Sequence, residues 1–229
     1  MMGKKEMDKI FLALDNMTRE EVFSFLDEHG KNIKLIKIGM ELFYKYGPTL
    51  LREVKEKYNV SIFLDLKLHD IPNTVSSAIK SLKDLDIDFL TVHISGGQSM
   101  LEASRKSCSE HLPKTKLIGV SILTSIDEQE CLSVYNQSLS NTFKTFLRSA
   151  IKAKLDGIVC SPHELAFISK DDKIFTICPG IRTEVSTKDD QKRVTTPKEA
   201  FQKGANYLVM GRALRHKPEL ITYLNKEQL

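Results

Sequence analysis

The chain has 229 residues, of which 41% are hydrophobic and 28% charged, as in an ordinary globular protein. Its net charge of +4 and the lack of any basic run give no support for nucleic-acid binding. No apolar run approaches the ~20 residues of a membrane span, and the first residues lack the apolar core of a signal peptide. We therefore expect a cytoplasmic protein with neither nucleic acid nor membrane as a partner. Its four cysteines form no CxxC pair or zinc-type cluster and are predicted to be free thiols.

Short apolar runs typical of β-strands recur along the chain. There are eight of them, at 10–15, 35–39, 61–67, 89–95, 117–123, 157–161, 174–179 and 207–211. Amphipathic helical patterns lie between most of these runs. The longest interval, between the fifth and sixth runs, holds two helical patterns, around 127–134 and 141–154. The weakest helical pattern follows the sixth run, around 163–168.

This alternation predicts a parallel sheet covered by helices. Eight repeats predict closure into a (β/α)8 TIM barrel, a fold that typically needs roughly 250 residues. An open, doubly wound sheet is the alternative. No linker rich in proline, glycine or serine interrupts the chain, so we expect residues 1–229 to form one α/β domain. Thr18 followed by Glu21 is a capping-box pattern, which predicts the start of the first long helix.

The end of the third strand carries a dense run of charge, DLKLHD at 65–70. Because side chains alternate along a strand, Asp65 and Lys67 are predicted to share its inner face. Burying an aspartate and a lysine there costs free energy, and folding does not require it. A buried ion pair that fixes strand register is the purely structural explanation.

Charges at the two preceding strands favour a functional explanation. Asp15 ends the first strand, Lys37 lies within the second, and Asp70 comes shortly after the third. Active sites of (β/α)8 barrels are built at the carboxyl ends of the strands, so these side chains are expected to meet at one mouth. Two acids and two lysines, joined by a third acid, predict a catalytic array.

Glycine and arginine follow the seventh and eighth strands, as Gly180 with Arg182 and Gly211 with Arg212. Loops at these positions commonly bind phosphate in barrels. Glycine lets backbone N–H groups approach the oxygens, and a guanidinium offers a planar fork. Gln191, in the loop after Arg182, offers a further donor. Either arginine alone would also suit a surface position, but the two together predict a phosphate site.

Weaker candidates lie near other strand ends. Thr124 follows the fifth strand and offers a polar contact, a helix N-cap, or both. His93 is predicted to point inward, either as a hydrogen-bonded core histidine or in support of the charged array, whereas His69 is expected to order its loop. Cys160 and Cys178 have no adjacent base that would make either one a thiol nucleophile.

The run DLKLHDIPNT at 65–74 resembles the DxKxxDIPNT signature of the orotidine 5'-monophosphate decarboxylase family, in its short bacterial form. The resemblance covers nearly the whole chain, and no functional position is missing. Its other motifs are ALD at 13–15, KIG at 37–39, VH at 92–93, LTS at 123–125, SPHE at 161–164, PGIR at 179–182, DQKR at 190–193 and GR at 211–212. Ile94 stands where the family usually has a smaller residue.

The resemblance implies decarboxylation of orotidine 5'-monophosphate to uridine 5'-monophosphate (UMP), the last step of de novo pyrimidine synthesis, without a cofactor or metal. Asp65, Lys67 and Asp70 would form the catalytic array, with Asp70 supplied by the partner subunit of a homodimer. Lys67 would protonate the carbanion left at C6, where the transition state needs a preorganised cation. Asp15 and Lys37 would bind the ribose hydroxyls, and Lys37 would also join the charged network.

The remaining implied contacts are to the base, the ribose and the phosphate. Thr124 would hold the pyrimidine edge, and Thr74 of the partner subunit would touch the ribose. The implied phosphate ligands are Arg182, Gln191, Gly211 and Arg212. Phosphate lies far from the reacting carbon, so its binding free energy would offset the cost of ordering the site.

Other functions are weighed against this one. Mg²⁺-dependent decarboxylases and aldolases of sugar phosphates, such as 3-keto-gulonate 6-phosphate decarboxylase and hexulose-6-phosphate synthase, share the DxKxxD run. They carry a glutamate where this chain has Lys37, and a lysine repels a divalent cation. A Schiff-base aldolase needs an uncharged lysine amine, which carboxylates around Lys67 oppose. A non-catalytic phosphate-binding barrel is the last alternative, and the complete charged array argues against it.

Overall fold

A computed structural model describes residues 6–181 and 195–226, and these residues contain a closed parallel barrel. Its strands pair in chain order, and β8 closes the barrel against β1. The strands are β1 Ile10–Ala13, β2 Leu35–Gly39, β3 Ser61–Leu68, β4 Phe89–His93, β5 Lys116–Val120, β6 Gly157–Val159, β7 Phe175–Cys178 and β8 Tyr207–Met210. The (β/α)8 TIM barrel is therefore confirmed, and the open doubly wound sheet is wrong.

In the part of the chain that the structure describes, α-helices on the outside of the barrel follow every strand except β6. They are α1 Arg19–His29, α2 Met40–Lys57, α3 Pro72–Ser81, α4 Gln98–His111, α5 Glu128–Tyr135, α6 Leu139–Lys152, α7 Pro197–Gln202, α8 Arg212–His216 and α9 Glu219–Lys226. As predicted, two helices lie between β5 and β6. The weak pattern after β6 forms only a single 3₁₀ turn, Leu165–Phe167. None of the helices within 6–181 and 195–226 has the length and apolarity required to cross a bilayer.

Local signals in the sequence fix several helix boundaries. Thr18 caps α1 and accepts a hydrogen bond from the Glu21 N–H, while the Glu21 carboxylate accepts one from the Thr18 N–H, as the capping-box pattern predicts. Helix α2 is broken at Gly47, whose φ of 62° is a left-handed value that glycine tolerates. Pro48 then begins the second half of α2, where a missing N–H is harmless.

Aromatic side chains fill the amino-terminal half of the barrel. Phe11 lies at its centre, with ring centroids 5.0 Å from both Phe63 and Phe89. Phe175 and Tyr207 complete this aromatic floor. Because the floor is closed, only the carboxyl-terminal half of the barrel is left to form a cavity.

Most predicted strands run one to three residues too far at their carboxyl ends. The fifth run was expected to extend to 123, whereas β5 ends at Val120. Similarly, β1 ends at Ala13, so Asp15 lies two residues beyond it. The apolar pattern continues past the last paired residue because side chains such as Ile122 remain buried above the barrel.

Candidate active site

A cavity of about 710 Å³ opens at the carboxyl ends of the strands. Backbone and side chains from most of the barrel line it, and the aromatic floor closes it from below, through Phe63. Seven of the predicted site residues lie in its wall: Asp15, Lys37, Asp65, Lys67, Thr124, Gly211 and Arg212.

Four of these side chains form a continuous chain of alternating charge, here called the Asp–Lys network. The Lys37 ammonium lies 2.8 Å from the Asp15 carboxylate and 3.6 Å from Asp65. The Lys67 ammonium donates to the other side of the network, 2.7 Å from Asp65 Oδ2. Lys37 and Asp65 are each only 8% exposed, so their charges are acceptable in the barrel because each lies against the opposite sign.

The close approach of Asp15 to Lys37 depends on a glycine. Gly39 ends β2, and a Cβ at that position would lie 2.5 Å from Asp15 Oδ1 and 3.1 Å from the Lys37 ammonium. Any larger residue would therefore push the carboxylate away from the lysine. The lack of space for a Cβ explains why glycine ends the KIG motif at 37–39.

The backbone of β3 is irregular where it presents Lys67. Leu64 pairs with Leu90 and Leu68 with Val92. Between these two pairs the chain moves four positions along β3 but only two along β4, so the register of the strands shifts. Lys67 adopts a φ of 50°, which a residue with a Cβ rarely takes. Such irregularities re-aim side chains next to active sites. Strict alternation along β3 predicted the correct side for Lys67, but a local bulge, and not a regular strand, holds it there.

Thr91 contacts the Asp–Lys network and was not among the residues predicted from the sequence. Its hydroxyl donates to Asp65 Oδ1 at 3.0 Å and accepts from the backbone N–H of Lys67 at 2.8 Å. Thr91 is fully buried on β4 and thereby ties the carboxylate to the irregular segment of β3. A polar residue alternating with Phe89 and His93 on an inward face was the signal that could have identified it.

The electrostatic surroundings keep Asp65 ionised. Burial, the largest single influence, raises the pKa of its carboxyl, but Lys37, Lys67 and the Thr91 hydroxyl together hold that pKa below the ordinary value of 3.8. The Asp65 carboxylate can therefore hold both ammonium groups in place near neutral pH.

His93 lies beside this network as a neutral imidazole. Burial, with smaller contributions from His69 and Lys67, lowers the pKa of His93 to about 4. Its Nδ1 is buried and has no hydrogen-bond partner within the described residues, and its ring centroid lies 5.3 Å from that of His69. Of the two interpretations that the sequence left open, a hydrogen-bonded core histidine is therefore not seen at Nδ1 among the described residues, and a role in support of the charged array stays a prediction.

Two predicted site residues lie away from the cavity of their own chain. Asp70 and Thr74 are exposed, in the loop after β3 and the first turn of α3, and neither lines the cavity. One Asp70 oxygen accepts a hydrogen bond from the N–H of Ile71 at 2.6 Å. A single chain thus assembles Asp15, Lys37, Asp65 and Lys67, but not the whole predicted array.

Two of the four predicted phosphate ligands lie in the cavity wall after the eighth strand. Gly211 and Arg212 line the cavity directly after β8, and Gly180 lines it after β7 with a φ of 77°. Arg182 and Gln191 lie outside the described residues.

Thr124 also lines the cavity, in the loop after β5. It does not cap the following helix, because Asp127 is the N-cap of α5. Of its two predicted roles, the N-cap is therefore wrong, and the polar contact to a bound ligand stays a prediction.

As expected, the cysteines form no disulfide; all four are buried, at Cys108, Cys131, Cys160 and Cys178. Among the described residues, no cluster of histidine, cysteine, aspartate and glutamate side chains has the geometry of a metal site.

Comparison with known proteins identifies related sequences and folds. Residues 8–222 match the family model described as the orotidine 5'-phosphate decarboxylase / HUMPS family. An orotidine 5'-phosphate decarboxylase of Staphylococcus epidermidis is 41% identical over 219 residues, which are 94% of each chain. One from Staphylococcus aureus is 40% identical over 90% of this chain and 91% of its own. The crystal structure of orotidine 5'-phosphate decarboxylase from Lactobacillus acidophilus has a TM-score of 0.77 at 29% identity, covering 95% of this chain and 99% of the other.

The lowered pKa of Asp65 predicts how stability depends on pH. A carboxyl with a depressed folded-state pKa stabilises the fold above its unfolded value of 3.8 and loses that contribution as the pH falls through the folded value. The difference in free energy of unfolding between wild type and Asp65→Asn should therefore be largest near neutrality and shrink below pH 3.8. Urea denaturation between about pH 7 and pH 3 measures it. Asp84→Asn, at an exposed turn, is the control, and a pH-independent difference for Asp65→Asn would contradict the argument.

Proposed function

Because the chain belongs to the orotidine 5'-phosphate decarboxylase / HUMPS family, we propose that it decarboxylates orotidine 5'-monophosphate to UMP, the last step of de novo pyrimidine synthesis. The observation that carries the proposal is the Asp–Lys network, which ends in an ammonium group at the cavity. Lys67 lines that cavity while its Nζ stays 2.7 Å from Asp65.

The chemistry requires a cation at a fixed place. When the bond between C6 and the carboxylate breaks, carbon dioxide leaves and the electron pair stays on C6, where no adjacent carbonyl or imine delocalises it. A preorganised ammonium stabilises that developing charge without reorganisation during the reaction. In the proposed step, the electron pair on C6 takes a proton from the Lys67 ammonium, so that a C–H bond forms as an N–H bond breaks, and the resulting amine regains a proton from water. The protein, the substrate and solvent water supply all of the groups involved.

The other network residues position the substrate and Lys67. We assign Asp15 and Lys37 to the ribose hydroxyls, because both line the cavity next to the reacting end, Lys37 on β2 and Asp15 after β1. Thr124 is assigned to the pyrimidine edge. Arg182, Gln191, Gly211 and Arg212 are assigned to the 5'-phosphate, of which only Gly211 and Arg212 lie among the described residues.

The proposed enzyme is a homodimer with shared active sites. Asp70 and Thr74 are exposed and lie outside the cavity of their own chain, which fits residues that serve a neighbouring subunit. In this arrangement Asp70 of the partner subunit completes the catalytic array, and the partner subunit's Thr74 contacts the ribose. Isologous pairing would give both sites the same composition.

Lys37 argues against the Mg²⁺-dependent sugar-phosphate enzymes. Its ammonium lies between the Asp15 and Asp65 carboxylates, at 2.8 and 3.6 Å. A divalent cation would need those oxygens as ligands, and the lysine both occupies the space and repels the ion. Decarboxylation without a metal is the function that this arrangement supports best.

Lys67→Ala should nearly abolish turnover while leaving the fold intact. Removing a preorganised charge from the transition state is expected to lower kcat by roughly 10³ or more, since each tenfold loss corresponds to about 1.4 kcal/mol. The loss of orotidylate absorbance measures the rate, and thermal unfolding checks the fold. Lys57→Ala is the matched control, because Lys57 pairs with Asp27 on the surface away from the cavity. A Lys67→Ala rate within about tenfold of wild type would contradict the assignment of Lys67 as the proton donor.

Activity should survive exhaustive chelation. The rate with EDTA is expected to stay within about twofold of the untreated rate, because the network already neutralises its carboxylates with lysines. A magnesium-dependent enzyme treated alongside verifies that chelation was complete. If EDTA abolishes turnover and Mg²⁺ restores it, the sugar-phosphate alternative replaces the proposal.

Mixing two inactive variants should restore activity if sites are shared. Lys67→Ala and Asp70→Ala subunits are each expected to be nearly inactive alone. In a heterodimer with shared sites, one site collects both lesions and the other has neither. Random exchange of equal amounts should then leave about a quarter of all sites intact, measured as recovered kcat.

The opposite geometry gives a different result. If Asp70 served its own subunit, every site in the mixture would carry one lesion and no activity would return. Native mass spectrometry of the mixture establishes that exchange has occurred. Exchange without recovery would rule out the shared site.

A further inference from the structure

A second arginine lines the cavity beside Arg212. Helix α8 begins directly after β8, and Arg212 and Arg215 are three residues apart on it, so they lie on one face. Both line the cavity. Arg215 is the more buried of the two, since Arg212 is exposed and Arg215 is partly covered. The Arg215 Nε is buried and has no hydrogen-bond partner among the described residues.

The acids in the electrostatic field of Arg215 are already engaged. They are Asp15, Glu21 and Glu41. Both Asp15 oxygens lie within 2.9 Å of the Lys37 ammonium. Glu21 accepts from the backbone N–H of Thr18 in the capping box, and Glu41 accepts from the N–H of Asn16. Within 6–181 and 195–226, no carboxylate forms an ion pair with Arg215.

An unpaired guanidinium in a partly buried place costs free energy. Burial is the main cause that lowers the pKa of Arg215; Asp15 opposes it, and the adjacent Arg212 adds to it. Arg215, which has no carboxylate partner among the described residues, lies next to a second arginine, and this favours a bound anion that would accept the free Arg215 N–H.

We propose that Arg215 is a second guanidinium of the phosphate subsite and binds the 5'-phosphate of the ligand together with Arg212. The three terminal oxygens of a phosphate ester can accept hydrogen bonds from two guanidinium groups. The inference rests on the proposed function for the identity of the ligand, but its test measures binding and not turnover.

The test compares UMP with uridine, which differ only in the phosphate. Dissociation constants are measured by ligand-observed NMR for wild type, Arg215→Ala and Arg215→Lys. Arg215→Ala should raise the dissociation constant of UMP about 10- to 100-fold, the range for losing one charge-assisted hydrogen bond. It should change the dissociation constant of uridine less than about twofold. Arg215→Lys should recover part of the UMP affinity, because it keeps the charge but loses the planar fork. Arg52 is an exposed arginine on α2 outside the cavity, so Arg52→Ala is the matched charge control. It should change neither the UMP nor the uridine dissociation constant.

Several results would overturn the inference. Equal losses of affinity for UMP and uridine would mean that Arg215 affects binding indirectly, through Asp15 or through the stability of the fold. An unchanged UMP affinity, or a wild type that binds UMP no better than uridine, would remove Arg215 from any phosphate subsite. If Arg215→Ala does not fold, Arg215→Gln is subjected to the same comparison and decides between the same outcomes. A wild type that binds UMP selectively but does not decarboxylate orotidylate would refute the proposed reaction and leave the role of Arg215 standing.

Discussion

The pairing of buried charge in the Asp–Lys network is the constraint on which the rest of the site depends. Asp65 lies above an aromatic floor, where an isolated carboxylate would cost several kcal/mol. It is tolerated because the ammonium groups of Lys37 and Lys67 lie 3.6 and 2.7 Å from its Oδ2. The same contacts fix where the Lys67 ammonium can be. Charge compensation and positioning of the proposed proton donor are therefore one arrangement.

Holding Lys67 in place requires a strained backbone. A left-handed conformation costs a residue with a Cβ roughly 1–2 kcal/mol. Two hydrogen bonds act against that cost: the Lys67 N–H donates to Thr91 Oγ1 at 2.8 Å, and its ammonium donates to Asp65 at 2.7 Å. Hydrogen bonds to charged groups contribute about 1.5–3 kcal/mol each, so the ionic contact alone can offset the strain. Thr91 bonds both Lys67 and Asp65, which makes it a positioning residue for both.

The sequence predicted the features that depend on local pattern. Eight apolar runs, the two helices between β5 and β6, and the Thr18 cap follow from periodicity and capping, which need only neighbouring residues. The bulge at Lys67 and the end of β5 at Val120 depend on which residues pair across strands, so no single run contains them. Thr91 was missed for the same reason, because its partners come from β3. Asp70 is exposed outside the cavity of its own chain, and no pattern within one chain can test its proposed place in the site of a partner subunit.

The net charge of the two cavity walls explains why phosphate would matter so far from the reaction. Asp15 and Asp65 balance Lys37 and Lys67, so the network is neutral, and an added Asp70 of the partner subunit would make it negative. A negative network does not attract a substrate carboxylate, and repulsion between them is a debated source of ground-state destabilisation. Attraction must then come from the other wall, where Arg212 and Arg215 follow β8. Binding free energy gained there can hold the carboxylate against the network, which separates the binding end of the cavity from its reacting end.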